Sequence, residues 1–398
     1  MSIQLVIDPG HGGENLGAQY YNYTEKDLTV QVGLAMAEEL RKYDGIDVYL
    51  TREEDLDVSL ADRCQYADDV DADFFISLHF NASEEHTLYG KETWVSAFGE
   101  CYAKGYSFGR VWLDEMSDTT LHNRGVKTRL NDDGIDYYGV IRRCTEYQIP
   151  SCIIEHCYMD IEEEHVYFNT SEALKQLGIK DATAVAKFFG LSSEVLGVDY
   201  SDYAIETVPV PTSVMAPDMT EPTLAEISEL SIDEDIPAIH IDIRGEDEES
   251  GLLYYSYSTD GGMTYSTLQR WPAGENETDA TIALEYDKNI SLICRVYNGY
   301  DLYTETNVIE IGTIHSAKSE NIEENMKKNM EENTMATTSE DVISLVENEP
   351  LQDAAQQKTD SGDIEIFMFL VFAILLVSLG IVFTTLKLMF PKKKHRKH

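Results

Sequence analysis

Short apolar runs alternate along the first half of the chain with longer stretches whose apolar positions recur at helical spacing. Strands are predicted at Gln4–Ile7, Val48–Leu50, Phe74–His79, Glu92–Ser96 and Cys152–Ile154. Between them, Leu28, Val32, Ala35, Met36, Ala37 and Leu40 mark one face of a helix over Lys26–Tyr43. Leu174, Leu177, Ala182, Val185 and Phe188 do the same over Ser171–Phe189, and a shorter helix is expected at Leu60–Ala67. Strands alternating with helices argue for an α/β layered fold over residues 1–192, a sheet flanked by helices.

The pattern then changes. Residues 193–223 are polar and punctuated by Pro209 and Pro211, which reads as a linker. Over residues 224–312, β-favouring runs (Ala238–Ile243, Leu252–Ser258, Thr281–Leu284, Ile290–Tyr297, Asn307–Ile311) are parted by Asp, Gly and Asn clusters. That spacing predicts a small β-sandwich. The run from Tyr255 to Tyr265 gives it a likeness to Ig-like domains, with Asp260-Gly261-Gly262 as a hairpin turn. Residues 313–363 are rich in Glu, Asn, Lys, Thr and Gln and read as a disordered acidic stalk. No residue from Ile366 to Leu386 is charged, so residues 364–390 are expected to form a transmembrane helix. The basic tail 391–398 is then expected to be cytoplasmic by the positive-inside rule, in a single-pass membrane protein.

Charge narrows the partners. The formal net charge is −43, spread over both halves, which argues against nucleic-acid binding. The six cysteines form no CxxC pair and no zinc-ribbon spacing, so buried free thiols are expected. Met1-Ser2-Ile3-Gln4 runs straight into the first strand with no visible export signal. The C-terminal span nevertheless puts the preceding chain on the non-cytoplasmic side, and the sequence leaves that conflict of topology open. It also leaves the oligomeric state open.

Four polar residues stand at predicted element ends: His11, Glu25, His79 and Glu155. Such positions can converge on one edge of an open sheet. Two imidazoles and a carboxylate suit Zn²⁺ and leave a position for water, whose proton a second carboxylate can take. His11 lies in a glycine-rich turn, His79 closes an apolar strand, and Glu155 follows three apolar residues. Glu25 alone would be an ordinary acidic residue at a helix start. His86 and His122 lie in loops near the expected mouth, and Arg124 either pins a loop or meets a substrate carboxylate. Arg52 and Arg63 read as structural ion-pair partners, and His156 should point away from Glu155.

The stretches Asp8-Pro9-Gly10-His11-Gly12-Gly13…Gly17-Ala18, Thr51-Arg52, Ser59-Leu60…Arg63…Ala67, Ser77-Leu78-His79-Phe80-Asn81-Ala82, Asn123-Arg124-Gly125-Val126 and Ile153-Ile154-Glu155 carry a resemblance. Over about the first 190 residues the chain resembles the zinc-dependent N-acetylmuramoyl-L-alanine amidases of the amidase-3 type. The resemblance implies metal ligands at His11, Glu25 and His79, with Glu155 as the catalytic carboxylate. It implies a zinc hydrolase that cleaves the amide between N-acetylmuramic acid and L-alanine in peptidoglycan. A zinc peptidase acting on the stem peptide and an inactive, membrane-tethered wall-binding protein are the alternatives. Asn15 stands where the family often has aspartate, and His156-Cys157-Tyr158 and Met159-Asp160-Ile161 replace the usual residues after the catalytic glutamate.

Overall fold

Residues 2–233 and 236–315 are described in a computed structural model of the chain. The expected stalk beyond residue 315, the membrane span 364–390 and the tail 391–398 lie outside them. Among the described residues, no helix is long and apolar enough to cross a membrane.

A six-stranded sheet organises the first half. Its strands are β1 (Ile3–Pro9), β2 (Ile46–Leu50), β3 (Phe74–Asn81), β4 (Lys91–Val95), β5 (Asn123–Thr128) and β6 (Ser151–Tyr158). They lie in the order β2-β1-β3-β6-β4-β5. β1, β2, β3 and β6 run parallel, whereas β4 is antiparallel to β6 and β5 follows β4's direction. The ends of β1, β3 and β6 and the starts of β4 and β5 therefore share one edge of the sheet.

Strand parity sorts the side chains into two layers. On one face Leu5, Ile7, Phe74, Ile76, Leu78, Phe80 and Ile154 pack against α1 (Glu25–Leu40), α3 (Gly99–Glu115) and α5 (Ser171–Phe189). On the other, Val6, Phe75 and Ile153 meet α2 (Leu60–Asp69) and α4 (Gly139–Glu146). The chain thus has a mixed α/β fold with its central sheet flanked by helices. Helix ends follow local chemistry. Ser59 Oγ accepts from Asp62 N to start α2, Thr170 Oγ1 accepts from Ala173 N to start α5, and Gly190 ends α5 in the left-handed region.

α3 falls where the apolar spacing predicts no helix. Gly105 and Gly109 weaken its propensity, yet both are needed for close packing on the sheet. A Cβ on Gly109 would come within 2.5 Å of Thr93 Oγ1, and one on Gly105 within 3.0 Å of the Ser151 carbonyl. Residues 193–223 do connect the two halves, but they lie along the first. Tyr200, Tyr203, Ile205, Val208 and Met215 pack against its core.

The second half holds two antiparallel sheets. One orders β7 (Leu224–Asp233), β8 (Ala238–Glu246) and β11 (Glu277–Ala283); the other orders β10 (Gln269–Arg270), β9 (Leu252–Ser258), β12 (Asn289–Asn298) and β13 (Tyr303–Glu305). β14 (Ile309–Thr313) also pairs with β12. Ile239, Ile241 and Ile243 from the first sheet share a core with Leu292, Cys294 and Val296 from the second.

Candidate metal centre and active site

The structure brings His11, Glu25 and His79 together, with one ligand atom from each within 4.8 Å of the others. Glu25 Oε1 is the common point. It lies 3.0 Å from His11 Nε2 and 2.8 Å from His79 Nδ1, and it accepts from Phe80 N at 3.1 Å. Oε2 accepts from Ala18 N at 2.8 Å. Burial works to raise the Glu25 pKa, but hydrogen bonds and charge from both imidazoles outweigh it and hold the group below the usual carboxylate range. Burial likewise lowers His11, and its bond to Glu25 more than reverses that.

The glycines make room for this convergence. A Cβ on Gly10 would stand 2.3 Å from the His79 ring. Gly17, at φ +67°, would bring one within 2.4 Å of Glu25 Oε2 and 2.8 Å of the His11 ring. No residue with a side chain fits either place without moving a ligand.

Neighbouring groups fix each ring. His11 Nδ1 donates to Asn15 Oδ1 at 3.0 Å, so the amide carbonyl does the orienting work of the aspartate frequent at this position. His79 Nε2 lies 3.1 Å from Ser77 Oγ, which donates to Asp8 Oδ2 at 2.7 Å. On the far face of the sheet, His156 Nδ1 reaches the His79 carbonyl at 3.0 Å and its Nε2 lies 2.9 Å from Asp181. His156 therefore steadies the backbone of the ligand strand from behind. Arg63 bonds Asp8 at 2.5 Å and the carbonyls of Pro9 and His11; Arg52 bonds the carbonyls of Pro9 and Gly10. Both arginines tie down the loop that carries His11.

Glu155 lies in register with His79 on β3 and Glu92 on β4, all on the face of α2 and α4. Its Oε2 is buried with no hydrogen-bond partner among the described residues. Burial, then the negative charges of Glu25 and Glu92, push its pKa well up. Asp160 and Asp301 also carry an orphaned oxygen, but each is ion-paired through its other one, whereas Glu155 makes no salt bridge among the described residues, which marks it as a candidate for chemistry.

Sequence reasoning missed Glu92. Fully buried, it accepts from Asn81 Nδ2 at 2.8 Å, Arg124 Nε at 3.0 Å and Lys127 Nζ at 2.8 Å. Burial would raise it, but the charges of Arg124 and Lys127 win and hold it at about 2. A glutamate inside the run Glu92-Thr93-Trp94-Val95 was the available signal. Arg124 is buried and continues into the second half, donating to Tyr254 Oη at 2.9 Å and to Asp301 Oδ2 at 2.8 Å. His122 is also turned that way, its Nε2 3.1 Å from the Leu253 carbonyl, and burial lowers its pKa to about 4. His86 reaches Asp160 Oδ2 at 3.0 Å.

Three comparisons bear on this site. Residues 5–187 match the family model described as N-acetylmuramoyl-L-alanine amidase. The sporulation-specific N-acetylmuramoyl-L-alanine amidase of Bacillus subtilis (strain 168) is 43% identical over 190 residues, covering 48% of this chain and 69% of the relative. The amidase CwlM of Bacillus licheniformis is 28% identical over 192 residues, covering 48% and 70%. Among solved structures, the amidase AmiC2 of Nostoc punctiforme is similar at 27% identity and a TM-score of 0.41, over 47% of this chain and 97% of that one.

Proposed function

Because the chain belongs to the N-acetylmuramoyl-L-alanine amidase family, we propose that it is a zinc hydrolase cleaving the amide between N-acetylmuramic acid and L-alanine in peptidoglycan. His11, Glu25 and His79 hold the metal in this reading, and Glu155 is the catalytic carboxylate. The observation that carries it is the juxtaposition of a two-imidazole, one-carboxylate cluster with the unpaired buried Oε2 of Glu155. Zinc in that donor set supplies Lewis acidity towards an amide carbonyl and acidifies water. Glu155 takes a proton from the attacking water and returns it to the departing L-alanine nitrogen, which leaves badly as an anion. Asn15 and Ser77 hold the two rings in place.

We also propose residues 364–390 as a single membrane span with a cytoplasmic basic tail, on hydropathy and charge alone. Protease protection in inverted vesicles tests it. The catalytic reading is tested by mass spectrometry of purified peptidoglycan digested by the full chain. Stem peptides with a free N-terminal L-alanine are expected, lost on chelation and reduced about 10²- to 10⁴-fold in Glu155→Gln. Peptides cut within the stem would instead make the enzyme a peptidase.

A further inference from the structure

All six cysteines are free and buried, and two of them, from distant parts of the chain, touch. Cys64 lies on α2 and Cys144 on α4, in the layer that packs against Val6, Phe75 and Ile153. The Cys144 thiol donates to Cys64 Sγ at 3.4 Å, and the Cys64 thiol donates to the Val140 carbonyl at 3.4 Å. Eighty positions separate the two along the chain, so only folding brings them together. The sulfurs need to close by about 1.4 Å to reach the bonded separation of about 2.0 Å.

The contact joins two helices that serve the site. Arg63, next to Cys64, holds Asp8 and the carbonyls of Pro9 and His11. Ile149 N, on the stretch that leads from α4 into the Glu155 strand, donates to the Cys144 carbonyl at 2.9 Å. A covalent link here ties the helix that holds the His11 loop to the helix that leads into β6. It also closes a long loop, and crosslinks across long loops remove the most freedom from the unfolded chain.

We propose that Cys64 and Cys144 are a modification site, oxidised to an intramolecular disulfide that clamps α2 to α4 as the chain folds in an oxidising compartment. A thiolate of the pair attacks a small-molecule disulfide, releasing one thiol and leaving a mixed disulfide on the protein. The second thiolate attacks the protein sulfur of that intermediate, forms the Cys64–Cys144 bond and releases the other thiol. Two electrons pass to the donor, and the two protons lost by the protein end on the released thiols. The bond forms during folding because the folded pair is shielded. Neither residue is accessible to solvent, and the hydrogen bond to Cys64 and burial push the Cys144 pKa well up. The membrane span proposed above puts the preceding chain on the non-cytoplasmic side, where disulfides persist.

The test synthesises the full chain in a cell-free system with detergent micelles, in glutathione buffer poised either oxidising or reducing. Free thiols are alkylated in denaturant, and the chain is mapped by mass spectrometry. In the oxidising arm a linked Cys64–Cys144 peptide is expected, with Cys101, Cys152, Cys157 and Cys294 alkylated. The oxidised chain should melt about 5–10 °C above the reduced one, a gap that Cys64→Ala removes. The comparison of oxidised with reduced wild type decides the matter even where Cys64→Ala folds poorly. Alkylation of all six cysteines, or a link from either residue to another cysteine, would overturn the proposal. So would a linked chain that melts no higher than the reduced one.

Discussion

Two charged clusters share one face of the same sheet, and they are built on opposite terms. Around Glu92, two carboxylates (with Asp301) face two cations, Arg124 and Lys127, and every charge is paired within 3.0 Å. Around Glu25, one carboxylate oxygen serves two imidazoles, and the half-buried Glu155 makes no salt bridge among the described residues. The first cluster is balanced and needs nothing more. The second gathers three groups that can ligate a divalent cation. Burial alone does not distinguish the two clusters; whether each charge meets an opposite one does.

The balanced cluster should break hardest. Arg124→Ala leaves Asp301 without its cation and Glu92 with Lys127 alone, and is expected to cost about 3–5 kcal/mol in denaturant unfolding. Cutting the chain near residue 200 should cost less at this cluster, since it removes Tyr254 and Asp301 but leaves Arg124 paired with Glu92. Glu164 sits between the extremes. Burial raises its pKa from 4.5 to about 7 against two backbone N–H bonds. The folded state therefore binds more protons than the unfolded state between those values, and stability falls as pH rises from about 4.5 to about 7. Glu164→Gln should flatten that fall in unfolding curves, by roughly 3 kcal/mol across the window.

The unbalanced cluster should respond to metal instead. Zinc at a hundredfold excess over its Kd is expected to stabilise the fold by about 2.7 kcal/mol, read as a rise in Tm that chelation reverses. His11→Ala should abolish the rise, and an undiminished shift would place the metal elsewhere. Smallest of all, Tyr254→Phe removes the hydroxyl that accepts from the charged Arg124 and donates to the Tyr89 carbonyl, and should cost about 2 kcal/mol. A much larger loss would mean that the two halves fold as one cooperative unit.

Much of the site could be read from the chain because its residues are marked locally. His11 sits among glycines, His79 and Glu155 end apolar runs, and each position follows from a strand period of two. α1 and α5 were equally legible, since their apolar spacing is regular. α3 was not: its glycines answer to Thr93 and Ser151 on the sheet beneath, contacts that no local pattern records. Glu92 was hidden for a related reason. Its partners Asn81, Arg124 and Lys127 come from other strands, so its burial reads as a fault until they are in place.

The sequence by itself determined the layers, the α/β order and the glycine turns, because periodicity and backbone freedom are local properties, whereas the proposed ligand set was named through the family resemblance. Only the tertiary structure decided which carboxylates meet cations: Glu92 does, and Glu155 does not among the described residues. It also decided that the β-region closes one wall of the catalytic edge, through Arg124 at one point and Arg270 at another. Charge pairing acts over a few ångströms in space, and Arg124 and Asp301 share that distance only after both halves have folded.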